Sequence, residues 1–368
     1  MNPKQTIAFF GSSLVSTYFN GAATYYRGIL QSLHYLGFSI TFYEPDILQR
    51  QENRDIDDPP YARVVVYQPT PEELDKCLKE AMEADFLIKG SDVGLFDEKI
   101  EIFILTQKRS GQQVFYWDVD APATLARIHE NNLDYFKLLI PYFDHILTYG
   151  GGEKVKDLYS SLGAEKVSLV YTAFSPETHF PVKSNPEHGA DLAFMGNRLP
   201  DREKRVDEFF FKVANALPNH KFILGGSGWN DKPMPSNVAY LGHVSSQEHN
   251  AFNCSSRVIL NICRNSKAEC GYSPGTRIFE AAGAAACIIT DAWLGVSSFF
   301  DPEKEILVVA NAEQLIGILK SLSKENARKI GKAAYLKALS THTYQHRVKD
   351  LQEIFSKNKV VSIPKNSN

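Results

Sequence analysis

The sequence predicts an α/β protein made of two doubly wound domains in tandem. Three observations carry this. Short β-type runs alternate with amphipathic helical runs almost from end to end, the pattern of mainly parallel sheets covered on both faces. A segment with three prolines, two histidines and little periodicity, AFSPETHFPVKSNPEHGA at 173–190, interrupts the alternation and reads as a linker, after which it restarts. Finally, 368 residues exceed the range over which a single core keeps growing.

The strands expected before the linker are TIAFFG (6–11), FSITFYE (38–44), ARVVVYQ (62–68), ADFLIKG (84–90), QQVFYWD (112–118), HILTYG (145–150) and VSLVYT (167–172). Helical patterns lie between them, for example at 22–36, 71–83 and 122–142. After the linker, DLAFMGN, HKFILGG, VAYLGH, RVILNIC, ACIITD and EILVVAN read as strands, with helices near 201–216, 246–256, 276–285 and 312–321. The stretch 325–356 is helical by pattern, and the polar tail SKNKVVSIPKNSN is expected to fray. Two doubly wound domains leave a cleft, and parallel sheets bind ligands at the carboxyl ends of their strands, so the cleft is the expected site.

An apolar fraction of 43% and a charged fraction of 23% are ordinary globular values. The net charge of -3 gives no nonspecific attraction to nucleic acid or anionic lipid, so neither is expected as a partner and any phosphate binding must be local. Five cysteines without a CxxC pair or a zinc-ligand histidine beside them read as reduced, buried small residues. The N-terminal stretch lacks the apolar core and cleavage site of a signal peptide, and no apolar run reaches the roughly 18–20 residues that span a bilayer. A cytoplasmic location is the expectation.

The densest signal is SPGTRIFEAAGAAACIITD at 273–291, in which Glu280 is the only charged side chain between Arg277 and Asp291. Ser273 is expected as an N-cap and Pro274 at the first helical position, with Gly275 and Thr276 leaving the first-turn amides open. Such a helix start attracts a diphosphate. One turn on, a carboxylate can accept both hydroxyls of a ribose. The alternative is a capped packing helix whose one glutamate faces water, although a two-domain chain rarely exposes a helix this apolar.

GTRIFEAAGAAACIITDAWLGVSSFFDPEKEILVV followed by THTYQHRVKDL resembles the C-terminal domain of the spore-maturation CgeB-like glycosyltransferases, a branch of the GT-B fold. The resemblance spans roughly residues 110–355, including SSLGAEKVSLVYTAFSPETHFP and DLAFMGNR. It implies two Rossmann-like domains facing a cleft, at 1–180 and 181–340, with a C-terminal helix at 341–368 crossing back to the first. It further implies a hexosyltransferase-type enzyme that moves a sugar from a nucleoside diphosphate sugar, a UDP-sugar, to a small-molecule, glycan or protein acceptor. The donor would bind the second domain, and neither cofactor nor metal is expected. By position, Glu280 matches the ribose-binding glutamate, and Ser273, Gly275, Thr276 and Arg277 match the diphosphate turn. Tyr272 stands where many retaining relatives place a glutamate that contacts the sugar, which leaves the sugar and the stereochemical course open. Gly242, His243 and Val244 in YLGHVSSQ resemble the base-contact loop; the alternative is a turn glycine before a capped helix.

Asn197 and Arg198 follow the first strand of the second domain, where an α/β sheet delivers a phosphate-neutralising cation. A guanidinium suits a diphosphate. Arg202 and Arg205 read instead as the solvated face of the next helix. In the first domain, Gly11, Asn20 and Gly21 lie on a loop that lacks GxGxxG spacing; they either approach phosphate or acceptor, or are turn residues. WDVDAP holds a DxD, the pattern that grips a metal in GT-A enzymes. Here Asp118 and Asp120 are read as lining the acceptor side, either being a general base if the enzyme inverts, with helix capping as the alternative for Asp120. Asp92 and His129 are weaker candidates of the same kind. Two other activities suit the same features: a UDP-sugar 2-epimerase-like enzyme, and a non-catalytic nucleotide-sugar-binding or structural protein.

Overall fold

The computed structural model describes residues 5–18, 20–91 and 93–357. Asp92 and most of the polar tail lie outside the described residues. The chain divides into two compact units, one comprising residues 5–149, 156–170 and 344–357, the other residues 150–155 and 171–343.

The first unit is a seven-stranded parallel sheet of β1 (Thr6–Phe10), β2 (Ser39–Pro45), β3 (Arg63–Tyr67), β4 (Phe86–Gly90), β5 (Gln113–Asp118), β6 (His145–Thr148) and β7 (Val167–Leu169), in the order β3-β2-β1-β4-β5-β6-β7. Its central strands are continuous apolar runs because helices cover both faces; β4 and β6 are buried at every position. The order reverses between β1 and β4, which opens the loop after β1 at the carboxyl edge. The helix Tyr344–Lys357 packs here against the helix Ala23–Tyr35. Their approach requires Gly28, since a Cβ there would lie 2.0 Å from the Tyr344 ring.

The second unit holds β8 (Leu192–Met195), β9 (Phe222–Gly225), β10 (Val238–Gly242), β11 (Ile259–Asn261), β12 (Ile288–Asp291) and β13 (Leu307–Val309), all parallel in the order β10-β9-β8-β11-β12-β13. Its reversal point lies between β8 and β11. All thirteen strands fall where the apolar runs predict them.

Three local features depart from expectation. The helical run 201–216 contains a π-turn at Asp207–Phe211, whose wider winding helps bury three consecutive phenylalanines, Phe209, Phe210 and Phe211. The pattern at 122–142 breaks into Ala121–Glu130 and Tyr135–Leu139, where Asp134 caps the second helix by accepting from the Phe136 amide. The segment 173–190 is packed rather than loose. Phe174 is fully buried, its amide donates to the His342 carbonyl, and the Asn185 amide reaches Ser255 Oγ at 2.8 Å. This packing fixes His179.

Among the described residues the five cysteines are free, and no helix is long and apolar enough to cross a membrane.

Candidate nucleotide-sugar site

At the carboxyl edge of the second sheet, on the β8 side of the reversal point, the loops that follow β8, β9 and β10 meet. Gly226 has φ +116°, and a Cβ there would sit 2.4 Å from the Gly196 carbonyl oxygen, so these two loops touch backbone to backbone. Asn197 Oδ1 accepts from the Ser227 amide at 2.9 Å, and the Gly226 amide donates to the Gly242 carbonyl at 2.7 Å. The Gly242 backbone is left-handed with open space around it, His243 is exposed and Val244 is buried.

Against β11 and β12 packs the helix Thr276–Gly283. Its N-cap is Gly275, and no side chain caps the first turn. Ser273 does not supply the expected cap, because its hydroxyl donates to the Gly271 carbonyl at 2.9 Å. A Cβ on Gly275 would find only Asn261 Oδ1, at 4.0 Å. The first-turn amides therefore start from an uncrowded glycine, as an anion site requires.

Two arginines aim at the same region. Arg277 Nη1 and Arg202 Nε are buried without a hydrogen-bond partner. Burial depresses both guanidinium groups, and Arg202 is pushed down to about 10, with Arg277 and Arg264 repelling it further. Arg202 stacks on Phe194 at 5.5 Å and donates to the Asn197 carbonyl. It is therefore not the solvated side chain its helical position suggested. Neither is Arg205, whose Nε bonds the fully buried Asp291 at 2.8 Å. Arg198 lies outward, spanning Glu203 and Asp231 at 2.8 Å each.

Glu280 is only 4% exposed, so it does not face water. Burial pushes its carboxyl up, but His179, Arg277 and His249 outweigh this and hold it below the usual carboxylate range. His179 Nε2 stands 3.9 Å from Glu280 Oε1. Among the described residues, His179, His249 and Glu280 form the one group whose donor atoms, all within 4.8 Å of one another, could share a cation. The sequence reading missed both histidines and Arg202. The histidines of the supposed linker were the only available signal.

Tyr272 has φ +45°, unusual for a bulky residue. Its ring is clasped between Gly152 and Gly295, where added Cβ atoms would lie 2.9 and 2.4 Å away. Its amide donates to the Leu294 carbonyl at 2.7 Å. Strain of this kind, held by tight surroundings, collects at ligand sites.

The first unit places its candidates differently. Asp118 is sealed, with 0% exposure. Its carboxylate accepts from the Tyr159 hydroxyl and, at 2.9 Å, from the Asp120 amide, and burial pushes it up. A group so enclosed braces the turn and has no path to an acceptor. Asp120 is half-buried at the N-cap of Ala121–Glu130 but makes no side-chain cap bond. Asn20 is spent on its own loop, taking Ser12 Oγ at 3.0 Å and giving to the Ser13 and Ser16 carbonyls. Gly11 must lack a side chain because Phe42 would lie 2.3 Å from its Cβ, whereas Gly21 is exposed with nothing nearby. His129 is exposed near the C-terminus of its helix.

Residues 202–353 match the family model described as glycosyl transferase-like. No curated protein matches the chain. Among solved structures, the chain resembles the sucrose-phosphate synthase of Thermosynechococcus elongatus, with 14% identity, TM-score 0.67, and coverage of 96% of this chain and 98% of that one. It also resembles Anabaena Alr3699/HepE in complex with UDP-glucose, with 12% identity, TM-score 0.67, and coverage of 96% and 99%. An alpha-glucosyltransferase in complex with UDP and DNA containing an HMU base aligns with 12% identity, TM-score 0.71, and coverage of 96% and 100%. These likenesses establish the fold as the two parallel-sheet α/β domains of GT-B glycosyltransferases.

Proposed function

We propose that this protein is a glycosyltransferase of the CgeB-like kind that takes a UDP-sugar and passes a hexosyl group to an acceptor without help from a metal. One observation carries the reading: two half-buried arginines, each with a buried, unpartnered N–H, beside an uncapped helix start one turn before an ionised glutamate. Cations that repel one another are placed together where an anion is bound. A diphosphate satisfies Arg202, Arg277 and the first-turn amides, while Glu280 receives the ribose hydroxyls. As the glycosidic bond to the diphosphate breaks, the same groups stabilise the charge that develops on the leaving oxygen, the work a divalent ion does elsewhere. The glycosyl transferase-like match and the UDP or UDP-glucose held by similar structures support the donor class.

Since one similar structure holds DNA, the fold leaves nucleic acid among the possible acceptors, and net charge alone does not remove it. With Asp118 sealed, Asp120 is the carboxylate of the WDVDAP pair left for a base role should transfer invert.

Titration with UDP and UDP-sugars, followed by donor turnover with and without chelator, tests the proposal. Binding with slow hydrolysis that chelator leaves intact supports it. Epimerised donor with no acceptor present would mark an epimerase, binding without turnover a binding protein, and loss of activity in chelator a metal requirement. Glu280→Ala is expected to lose about 1.5–3 kcal/mol of UDP affinity, the scale of a hydrogen bond to a charged group. Unchanged binding by a folded variant removes Glu280 from the site.

A further inference from the structure

We infer that the outward face of the helix Lys324–Thr341 docks the protein on an anionic bilayer surface, where lipid phosphates meet its cations and the acyl boundary receives its leucines. The starting point is a helix whose apolar residues are placed the wrong way round. An ordinary amphipathic helix turns its large apolar side chains to the core. Here the inner face is a row of small residues, Ala327, Gly331, Ala334 and Ala338. Both leucines of the helix point away from that row, Leu336 at 54% exposure and Leu339 at 39%. Three residues apart, they are neighbours on one face.

The helix also gathers positive charge. It carries Lys324, Arg328, Lys329, Lys332 and Lys337 against a single acid, Glu325, which pairs with Lys329 at 2.8 Å. Arg328 and Lys329 each stand one turn before Lys332, and Lys332 one turn before Leu336, so cations and leucines form one continuous outward stripe. This arrangement opposes folding twice. Like charges one turn apart repel, and Lys324 occupies the first turn, the end of a helix that favours anions, while the last turn holds no cationic side chain. A face that exposes leucines and concentrates repelling cations without benefit to the fold is built for a partner. The pairing of the two features selects which one. A second copy of the chain, related by a twofold axis, would set cations against cations. A nucleic-acid backbone would meet the cations but leave both leucines in water. A bilayer rich in anionic lipid answers both, with headgroup phosphates over the stripe and Leu336 and Leu339 at the acyl boundary. The net charge of -3 does not oppose this, because screening limits attraction to charges within about 8–10 Å of the contacting surface.

The test cosediments the native chain with vesicles of phosphatidylcholine, alone or with about 30% phosphatidylserine, at about 50 and about 500 mM salt. Two double variants are compared, Arg328→Glu with Lys332→Glu and Leu336→Gln with Leu339→Gln, each checked for folding by thermal melting. All four side chains are exposed, and the charge reversal relieves repulsion, so both variants are expected to fold. The native chain is expected to bind the anionic vesicles at low salt, at least about tenfold more weakly at high salt, and phosphatidylcholine hardly at all. The charge reversal should weaken binding at least about twentyfold, about fivefold for each cation lost. The leucine replacement should weaken it at least about fivefold at either salt. Absence of binding to anionic vesicles at low salt overturns the proposal, as does binding that either folded variant retains in full. If duplex DNA is bound and vesicles are not, the stripe reads a phosphate backbone and the bilayer reading falls. A dimer in sedimentation velocity that the leucine replacement dissolves, with vesicles unbound, gives the face to a second copy and also overturns it. None of these outcomes depends on UDP, so the donor reading stands or falls separately.

Discussion

Arg202 and Arg198 lie one helical turn apart in sequence, yet the structure gives them opposite circumstances. Arg198 is half-buried and neutralised by Glu203 and Asp231, whereas Arg202, also half-buried, faces the charge of Arg277 and keeps a buried, unpartnered Nε. Removing a guanidinium that meets phosphate costs about 1.5–3 kcal/mol. Arg202→Ala and Arg277→Ala are therefore expected to weaken UDP by that amount and uridine by less than about twofold, with Arg198→Ala closer to native. Calorimetry with both ligands checks this, and equal losses for uridine and UDP would mean that neither arginine reads phosphate. The sequence pointed to Arg198 because it follows β8 directly. It could not show that Arg202 packs over Phe194, nor that distant His179 and His249 meet Glu280. Glu280 itself was legible, because a lone carboxylate in so apolar a helix needs a polar partner inside.

At the scale of elements, the small residues after Glu280 serve close packing. The helix Lys324–Thr341 presses on the turn that ends Thr276–Gly283, and a Cβ on Gly331 would lie 2.3 Å from the Ala285 carbonyl oxygen. Propensity alone makes Gly→Ala within a helix stabilising by roughly 0.5–1 kcal/mol. Because the obstacle is backbone, Gly331→Ala is expected to destabilise by about 1–3 kcal/mol instead, the range for overpacking. Ala285 offers the converse. It sits at φ +57°, with the Ala286 amide reaching the Ala281 carbonyl across it, the position where glycine ends most helices of this kind. Ala285→Gly should thus stabilise by about 1 kcal/mol. Urea denaturation of the two variants reads both signs, and the reverse order would refute the packing argument. Strands were legible because burial on both faces writes them as unbroken apolar runs. The helix Asp97–Thr106 was not, since it begins at Phe96 in a left-handed conformation with no side-chain cap to announce it.

For the whole molecule, the two-sheet architecture was legible from alternation alone, while its response to acid depends on which histidines the sheets enclose. His145 opens β6, is 6% exposed and contacts Ser168 Oγ at 2.9 Å. Burial, with Lys166 adding repulsion, pushes it down to about 4. Between that value and the ordinary one near 6.5, the unfolded chain takes up a proton that the folded chain refuses. Stability that is complete above about pH 6.5 is therefore lost as the pH falls toward 4, and this group adds no further loss below that. Carboxylates such as Glu44 and Glu101, which burial pushes up, act in the opposite sense, so the total slope does not isolate the histidine. A difference between variants does. His145→Asn keeps a polar partner for Ser168 but cannot titrate. The fall in unfolding free energy of the first unit between pH 7 and pH 4.5 should be smaller in His145→Asn than in the native chain by on the order of 2–3 kcal/mol. Equal falls in the two proteins would show that His145 is protonated in the fold, and that the sheet edge around β6 admits water.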